Sequence, residues 1–380
     1  MSYLAVEALS KLGQAVVTVL AGALSDESVS VRRLAASRLR WMNISKRSSS
    51  AGSNARQVGP ALIKATQDPD AVVRQTAVSA LENFDLPSEK TVPALIRALR
   101  DPEKAVRLVA VNALATIGPP AQDAVPALIL TLKDSDDSLR SSAAHALGKI
   151  NAPADAAGQP LIRALRDGSG SVRIAAALSL VEITPLVKEA VPALVEAMKS
   201  ATDEKEKSDL AMTLPRIGKP AMPALVEILN IAPWEEARFT FQAIGRMGPE
   251  AEGAIPALAL ALRTGPPNVK EAAAYAMGNI GPSAIPALIQ SFKSTDRYEN
   301  NEAGWALARI GAAAVLPLVE ALNHDDRNLR SRAAWRLGDI GPPAKAAVPV
   351  LQQLVKSDPD HEVRLSAEVA LIRIEGRLRY

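Results

Sequence analysis

Prolines recur along this chain at intervals of 30 to 34 residues, and this period constrains the fold more than any other feature. Most of them stand in a short apolar phrase, such as VPAL at 92–95 or IPAL at 285–288. A second phrase follows about 13 residues later, as in AVRLVAVNALATIG at 105–118 and NLRSRAAWRLGDIG at 328–341. A fixed period of this length is typical of repeat architectures, in which each unit packs only against its neighbours.

Each phrase predicts a short helix. Proline is tolerated in the first turn of a helix, where its missing N–H is not needed, and apolar residues then recur at helical spacing. The first phrase therefore predicts a helix A, and the second predicts a helix B that ends at a glycine such as Gly118. The buried face of helix B in this repeat is expected to carry Val106, Ala110, Ala113, Leu114 and Ile117.

Two helices of about ten residues cannot bury their apolar faces alone, so the pairs must stack. The predicted fold is all-α, an α-solenoid of about eleven helix pairs that forms a curved superhelix. We predict a single solenoid over 1–380, with an N-terminal half at 1–198 that contains a Ser- and Gly-rich loop at 43–57. An irregular joint at 199–250, where Pro215 interrupts a helix B, precedes a C-terminal half at 251–380.

Composition excludes several classes of protein. The chain has no cysteine, which excludes disulfides, thiolate zinc sites and a cysteine nucleophile. Glu7 interrupts the first apolar stretch, so it makes a poor signal peptide, and no run of about 18 apolar residues predicts a membrane span. These features favour a cytoplasmic protein. The net charge of +3 alone indicates no partner.

The two phrases resemble the HEAT-like repeats of the phycobilisome-lyase type, a bacterial-type repeat whose helix B reads Val-Arg, Ala-Ala and Ala-Leu-Gly-x-Ile-Gly. The resemblance covers nearly the whole chain and implies an α-solenoid. Most proteins with such repeats are binding scaffolds. Some relatives attach or isomerise bilins, and the related deoxyhypusine hydroxylases bind iron through His-Glu pairs.

A polar ladder also repeats, in which Asp and Arg stand six residues apart. Asp lies near the start of helix B, where it can accept backbone N–H groups, and Arg can bridge to a carboxylate of the same or the next repeat. We interpret this ladder as structural. Its members are Asp26/Arg32, Asp68/Arg74, Asp101/Arg107, Asp134/Arg140, Asp167/Arg173 and Asp358/Arg364.

The three histidines do not predict a metal site. His324 takes the ladder position of an aspartate, and His145 has no second ligand at suitable spacing. His361-Glu362 precedes the Val-Arg step of its helix, whereas the hydroxylase pair follows it. No nucleophile and base can be paired from the sequence. We therefore expect a protein without cofactor, metal or catalytic activity.

The first loop and its preceding helix form a basic patch of Arg33, Arg40, Lys46 and Arg47. A solvated surface explains such a patch, and an anionic partner is the alternative: an acidic protein, a membrane surface or nucleic acid.

The outward face of the B helices is the predicted concave surface, and its central column becomes aromatic along the chain. Tyr275, Trp305 and Trp335 occupy this column in consecutive repeats, although the whole chain has only eight Trp and Tyr residues. The rings could simply cover small residues of adjoining helices. They could also form a groove, because aromatics beside arginine dominate interface hot spots. The predicted partner-binding residues are Tyr275, Trp305, Trp335, Arg309, Arg246, Asp339 and Gln242.

Three functions follow in order of preference. The first is a non-catalytic scaffold that binds a protein or peptide on this concave face. The second is a bilin lyase-like or chaperone-like subunit that holds a chromophore or its acceptor protein. The third is DNA binding, which a charge of +3 does not favour. Exposed apolar residues on the last helix further predict self-association through a terminal repeat.

Overall fold

A computed structural model of the protein describes residues 16–41, 51–82, 84, 86–183, 187–231 and 234–376. These residues form α-helices, short 3-10 helices and turns, and no strand occurs among them. The chain divides into two compact units, Met1–Thr202 and Asp203–Tyr380. Each unit is a stack of helix pairs, which confirms the predicted all-α solenoid.

Helix bounds in the two units follow the proline period. In the first unit, helical residues 16–23 precede α1 Val29–Trp41, α2 Ala51–Ala65, α3 Ala71–Leu81, α4 Ser88–Ala98, α5 Lys104–Ile117, α6 Val125–Thr131, α7 Asp137–Lys149, α8 Ala154–Ala164, α9 Gly170–Glu182 and α10 Val187–Ser200. The second unit contains α11 Glu204–Ala211, α12 Leu214–Ile217, α13 Met222–Ile231, α14 Trp234–Met247, α15 Ile255–Thr264, α16 Pro267–Ile280, α17 Ile285–Phe292, α18 Arg297–Ile310, α19 Val315–Ala321, α20 Arg327–Ile340, α21 Val348–Ser357 and α22 His361–Ile374.

Helices alternate between the two predicted roles. In the first unit the odd-numbered helices from α1 to α9 are B helices, and in the second unit the even-numbered helices from α14 to α22 are. Each B helix packs against its own A helix and against neighbouring B helices, as α16 does with α15 and α18. Short 3-10 helices lead into several A helices, at Pro119–Ala124, Lys219–Ala221, Gly248–Ala254, Pro282–Ala284, Gly311–Ala314 and Pro342–Ala347.

The proline of helix A stands in the first turn only in some repeats. Pro126 has this position in α6, but α4 begins five residues before Pro93. Residues 88–92 contain no helix breaker, so they add a turn ahead of the proline. Pro93 is exposed, and its missing N–H therefore removes one helical hydrogen bond at the surface.

Helix B buries the predicted face. Val106, Ala110 and Leu114 are fully buried, while Ile117 is only half-buried. The helix ends at Gly118, which has φ +70° and ψ −140° and donates its N–H to the carbonyl of Leu114. A positive φ is expected here, but this ψ lies outside the left-handed helical region, in a conformation that only glycine adopts easily.

The polar ladder joins consecutive repeats, as its structural interpretation predicts. Nε and Nη2 of Arg74 donate to the carboxylate of Asp101 in the next repeat, at 2.7 and 2.9 Å. Nη1 donates to the carbonyl oxygens of Asp68 and Pro69 at the start of its own helix, both at 2.9 Å. The guanidinium of Arg74 thus connects the turn that precedes its own helix with the next repeat. Equivalent pairs are Arg32–Asp68, Arg140–Asp167 and Arg330–Asp358.

The predicted loop at 43–57 is partly wrong. Helix α2 begins at Ala51, so residues 51–57 are helical, and residues 42–50 lie outside the described residues. Small and polar residues such as serine and asparagine favour loops, but they are also suited to the start of a helix.

The interruption predicted at Pro215 is confirmed. Helix α11 ends at Ala211, and α12 begins at Leu214 with the proline in its first turn. Between them, the buried Thr213 donates its hydroxyl to the carbonyl of Leu210 at 2.6 Å. The boundary between the two compact units falls nearby, within the predicted joint at 199–250.

Candidate functional site

The predicted aromatic column lies on the outward face of three consecutive B helices. Tyr275 on α16 and Trp305 on α18 are each 53% exposed, and Trp335 on α20 is 42% exposed. Their helical neighbours Ala276, Ala306 and Ala334 are buried against adjoining helices. We call these three rings the aromatic row.

Each ring of the aromatic row is covered by an arginine from the following repeat. The guanidinium carbon lies 4.6 Å from the centre of the Tyr275 ring for Arg309, 4.3 Å from that of Trp305 for Arg336, and 4.5 Å from that of Trp335 for Arg373. A cation within about 6 Å of a ring centre is attracted by the ring quadrupole. The row is therefore a series of ring and guanidinium pairs, each of which joins two repeats.

Glycines beside the rings let the arginines reach across. A Cβ on Gly304 would lie 2.7 Å from Nε of Arg336, and a Cβ on Gly278 would lie 3.0 Å from Cδ of Arg309. Any larger residue at Gly304 would occupy the volume that the arginine uses. Gly278 stands at the glycine position of the Ala-Leu-Gly-x-Ile phrase, and it thus has a packing role there, whereas Gly304 lies outside this phrase, directly before Trp305.

Arg336 is the most deeply held of these arginines. It is buried, and it donates from Nη1 to Asp339 at 2.9 Å and from Nη2 to Oδ1 of Asn301 at 2.6 Å. Burial lowers the pKa of Arg336, and the carboxylate of Asp339 acts in the opposite direction. The two acceptors fix the guanidinium plane above the Trp305 ring.

Asp339 binds two of the arginines that cover the aromatic row. Its second oxygen accepts from Nη1 of Arg373 at 2.7 Å, while the first accepts from Arg336. Its side chain is largely buried in this arrangement. The structure therefore gives Asp339 a positioning role: it orients the arginines that cover Trp305 and Trp335.

Arg309, one of the predicted partner-binding residues, lies over the ring of Tyr275. Its Nε donates to Oδ1 of Asn279 at 2.7 Å, which fixes the guanidinium against Tyr275. The residue remains exposed, so its positive charge is accessible from solvent at the same place as the ring.

Gln242 and Arg246 lie beside Tyr275 in one concavity. The volume of this concavity is about 450 Å³. Trp305 and Trp335 are not among its lining residues. The predicted site therefore consists of two parts, the concavity on α14 and α16 and the two tryptophans with their arginines on α18 to α22. The concavity is lined by Phe241, Gln242, Arg246, Asn268, Glu271, Ala272, Tyr275 and Asn279.

The sequence interpretation missed Arg336. Its position in the helical repeat is on the side that faces adjoining helices, where an aliphatic residue is the usual occupant, so the repeat pattern does not predict an exposed arginine there. The available signal was a charged residue at a core position, since the matching residue of the preceding repeat is Ala306.

The predicted basic patch is only partly described. Arg33 donates two hydrogen bonds to Asp70, at 2.9 and 2.6 Å, and its charge is therefore paired. The guanidinium of Arg40 lies 5.7 Å from the centre of the Trp41 ring. Lys46 and Arg47 lie outside the described residues. An anionic partner at this patch stays a prediction.

His324 has a structural role, as predicted. Its Nδ1 accepts the backbone N–H of Asp326 at 3.1 Å, in the turn before α20. Over the described part of the chain, no three or more His, Cys, Asp or Glu side chains are grouped so that they could hold a metal ion.

One segment, Arg297–Ala321, has the length and mean hydropathy of a membrane-spanning helix. In the structure this segment is α18 and α19, joined through Gly311 at φ +78°. Its apolar residues Leu307, Val315 and Leu318 are buried within the solenoid. The break at Gly311 divides the segment into two helices, and the absence of a membrane span stays a prediction.

Solved structures that are similar to this chain include a karyopherin. Kap121p bound to the extreme C-terminus of the protein phosphatase Cdc14p is 15% identical, with a TM-score of 0.50 over 95% of this chain and 50% of that chain. Kap121p bound to Ste12p gives 15% identity and a TM-score of 0.50 over 95% and 49%. At this identity the similarity concerns the fold. This chain spans about half the length of those karyopherin chains.

An engineered protein is 25% identical, with a TM-score of 0.43 over 95% of this chain and 99% of that chain. A comparison with curated proteins found no match. The family model of HEAT repeats matches residues 59–129, 92–180, 125–215, 222–308 and 285–372. These overlapping matches together cover well over half of the sequence. The chain therefore belongs to the HEAT-repeat family.

Proposed function

We propose that this protein is a non-catalytic scaffold that binds a polypeptide partner on the outward face of the B helices of its second unit. The observation that carries the proposal is the aromatic row, in which three consecutive half-exposed rings each lie under an arginine of the next repeat. Aromatic and arginine side chains are the residues most enriched in interface hot spots.

The exposed area of the rings supports binding over simple packing. Rings that only covered alanine and glycine would be expected to lose most of their exposure, whereas Tyr275 and Trp305 keep about half of theirs. Their arginines are already held by Asn279, Asn301 and Asp339. The row is thus ordered before a partner arrives, which reduces the entropy lost on binding.

The chemistry of the row indicates the type of partner. Exposed rings favour apolar anchors, and Arg246 and Arg309 add accessible positive charge. The matching partner is an extended or helical segment that has apolar side chains and some acidic residues. The similar karyopherin structures contain polypeptide ligands, a Cdc14p terminus in one and Ste12p in another, and this mode of use supports the proposal.

Affinity capture with the wild-type chain, followed by mass spectrometry, would identify the partner for a direct test. Trp305→Ala and Trp335→Ala should each weaken its binding roughly thirtyfold, because truncation of a buried hot-spot aromatic costs about 2 kcal/mol. Trp41→Ala is the matched control, since Trp41 is 76% exposed and lies outside the row. Normal binding by both row variants would show that the rings are packing residues only.

A cytoplasmic location and a link to the phycobilisome-lyase type of repeat remain predictions from the sequence. Self-association through the last repeat is also a prediction, for which the half-exposed Leu365 on α22 is the supporting observation. Light scattering at increasing protein concentration would test it, and Leu365→Ser should lower any self-association that is found.

A further inference from the structure

The junction between α18 and α20 lacks the ion pair that joins other B helices. Lys270 binds Asp296 across the preceding junction, and Arg330 binds Asp358 across the following one. The equivalent residue on α18 is Asn300, whose Nδ2 donates to the carbonyl of Ser294 in its own repeat at 3.0 Å. Among the described residues, no ion pair connects α18 with α20.

A polar cavity of about 920 Å³ opens at this junction. It extends from the first turns of α18 and α20 to the start of α22. Its lining residues all carry polar or charged groups, although their carbon atoms form almost half of the lining surface. The lining residues are Thr295, Arg297, Tyr298, Asn300, Asn301, Arg327, Asn328, Ser331, Arg332, Asp360 and Glu362.

Arg332 lines this cavity with unused hydrogen-bonding capacity. Its Nε is buried and has no hydrogen-bond partner, and its Nη2 makes one long contact, 3.3 Å, with the carbonyl of Phe292. Burial lowers the pKa of Arg332, and Asp326 acts weakly against this change. An unpaired buried donor of a charged group is costly, so this guanidinium is suited to an acceptor from outside the chain.

The charges around the cavity indicate the type of acceptor. Arg297, Arg327 and Arg332 face two carboxylates, Asp360 and Glu362. Arg327 is paired with Asp360 at 2.9 Å, whereas Arg297 and Arg332 form no ion pair with any described residue. The cavity thus has an excess of one positive charge. A singly charged carboxylate neutralises this excess, whereas a doubly charged phosphate would leave the cavity with a net negative charge.

We propose that this cavity binds the carboxylate of an acidic residue in the polypeptide that lies along the aromatic row. This inference rests on the proposed function for the identity of the ligand. Asn301 connects the two places, because it lines the cavity and accepts the hydrogen bond of Arg336, which covers Trp305. Arg332 and Arg297 donate to the carboxylate, and Trp305 contacts an apolar side chain of the same segment.

The test uses the full chain with 15N-labelled arginine, and it observes the Nε–H resonance of Arg332 by NMR. Arg332→Lys assigns the resonance by its disappearance. The probe is N-acetylglutamate amide, which presents one side-chain carboxylate, titrated against chloride at constant ionic strength. The resonance should shift saturably with this probe, with half-saturation at millimolar concentrations.

Two variants test the contacts in the cavity. Arg297→Gln should raise the half-saturation concentration about tenfold, the loss expected for one charge-assisted hydrogen bond. Arg263→Gln, at an exposed arginine outside the cavity, should leave the half-saturation concentration unchanged.

Three results would overturn the proposal: no saturable shift of Arg332, an equal shift with chloride, or tighter binding of inorganic phosphate than of the carboxylate probe. A parallel titration with N-acetylglycine presents a terminal carboxylate. Tighter binding of this probe supports the carboxylate site and assigns its source to a chain terminus.

The titration contains no partner protein, and it is therefore independent of the tests on Trp305 and Trp335. A saturable shift together with normal partner binding by the tryptophan variants would reject only the role of the aromatic row.

Discussion

Arg336 lies between two repeats, with its guanidinium carbon 4.3 Å from the centre of the Trp305 ring and its Nη1 2.9 Å from Asp339. Because the side chain is only 8% exposed, the ring and the cation interact with little solvent between them. We expect Trp305→Ala and Arg336→Met to be coupled by about 1 to 2 kcal/mol in a double-mutant cycle of unfolding free energies. Urea unfolding of the wild type, both single variants and the double variant gives this value.

A control cycle pairs Trp305→Ala with Arg263→Gln, which is an exposed position on α15. These two changes should be additive within about 0.5 kcal/mol, because the residues share no partner. Additivity in the Trp305 and Arg336 cycle as well would mean that the stacked geometry contributes nothing to stability.

Gly304 should tolerate no side chain. A Cβ at this position would lie 2.7 Å from Nε of Arg336 and 2.9 Å from Cε2 of Phe292, so Gly304→Ala forces a side chain to move. We expect a loss of about 1 to 3 kcal/mol in the free energy of unfolding, as for other overpacked sites. Gly168→Ala is the control, since no atom lies within 4 Å of its added Cβ. Equal stabilities of the two variants would contradict the close approach of the helices.

The register of the B helices gives a direct test of the core. Leu114 and Leu147 are fully buried on α5 and α7, and for Leu114 this agrees with the prediction. Leu114→Ala or Leu147→Ala should lower the free energy of unfolding by about 2 to 5 kcal/mol through lost transfer energy and a remaining cavity. Leu130→Ala on α6 should change it by less than about 0.5 kcal/mol, because Leu130 is 59% exposed. A loss of less than about 0.5 kcal/mol for Leu114→Ala would show that the predicted buried face of helix B is wrong.

The repeat period predicted most of the fold because it depends on local signals. Proline, apolar spacing and a terminal glycine act within one helix pair, so Leu114, Gly118 and the helices around them follow from the sequence alone. The polar ladder was also predictable, since an Asp and an Arg recur six residues apart, as in Asp68 and Arg74, and Arg74 then pairs with Asp101 of the next repeat. The start of α2 was not, because serine and asparagine are compatible with both a loop and a first helical turn.

The candidate site was predicted less completely, for a physical reason. Exposure of Trp305 and Trp335 follows from their position on helix B, but contacts between repeats depend on side chains that are distant in sequence. The arginine above Trp305 comes from position 336, whereas the one above Trp335 comes from position 373. This unequal spacing follows from the reach of a long flexible side chain, which sequence periodicity does not encode.

The segment 199–246 should be less protected than the regular repeats of the first unit. Helix α11 ends at Ala211, and the Asp and Arg pairs of the polar ladder are absent from this segment. Fewer interactions therefore resist local opening. Hydrogen exchange measured by mass spectrometry should be faster there than in residues 92–183. Equal protection in both segments would argue against a joint.

The contact between Arg33 and Asp70 predicts a specific response to acid. The hydrogen bonds from Arg33, with a smaller contribution from the backbone N–H of Val73, lower the pKa of Asp70 to about 2. The pKa of an aspartate in an unfolded chain is about 3.9. Because the folded pKa is the lower one, the ionised carboxylate stabilises the fold above about pH 4, and this contribution is lost as the pH falls towards about 2.

Arg33→Gln removes the largest cause of the lowered pKa and leaves the cap of α3 in place. The free energy of unfolding should therefore fall less steeply between about pH 4 and pH 2 in this variant than in the wild type. Urea titrations at half-unit pH intervals provide the comparison, and Arg263→Gln controls for the loss of one positive charge. Parallel pH profiles for the wild type and Arg33→Gln would show that the ion pair does not hold the carboxylate of Asp70 ionised. A steeper profile in the variant would mean that Arg33 destabilises the charged form, which contradicts the observed geometry.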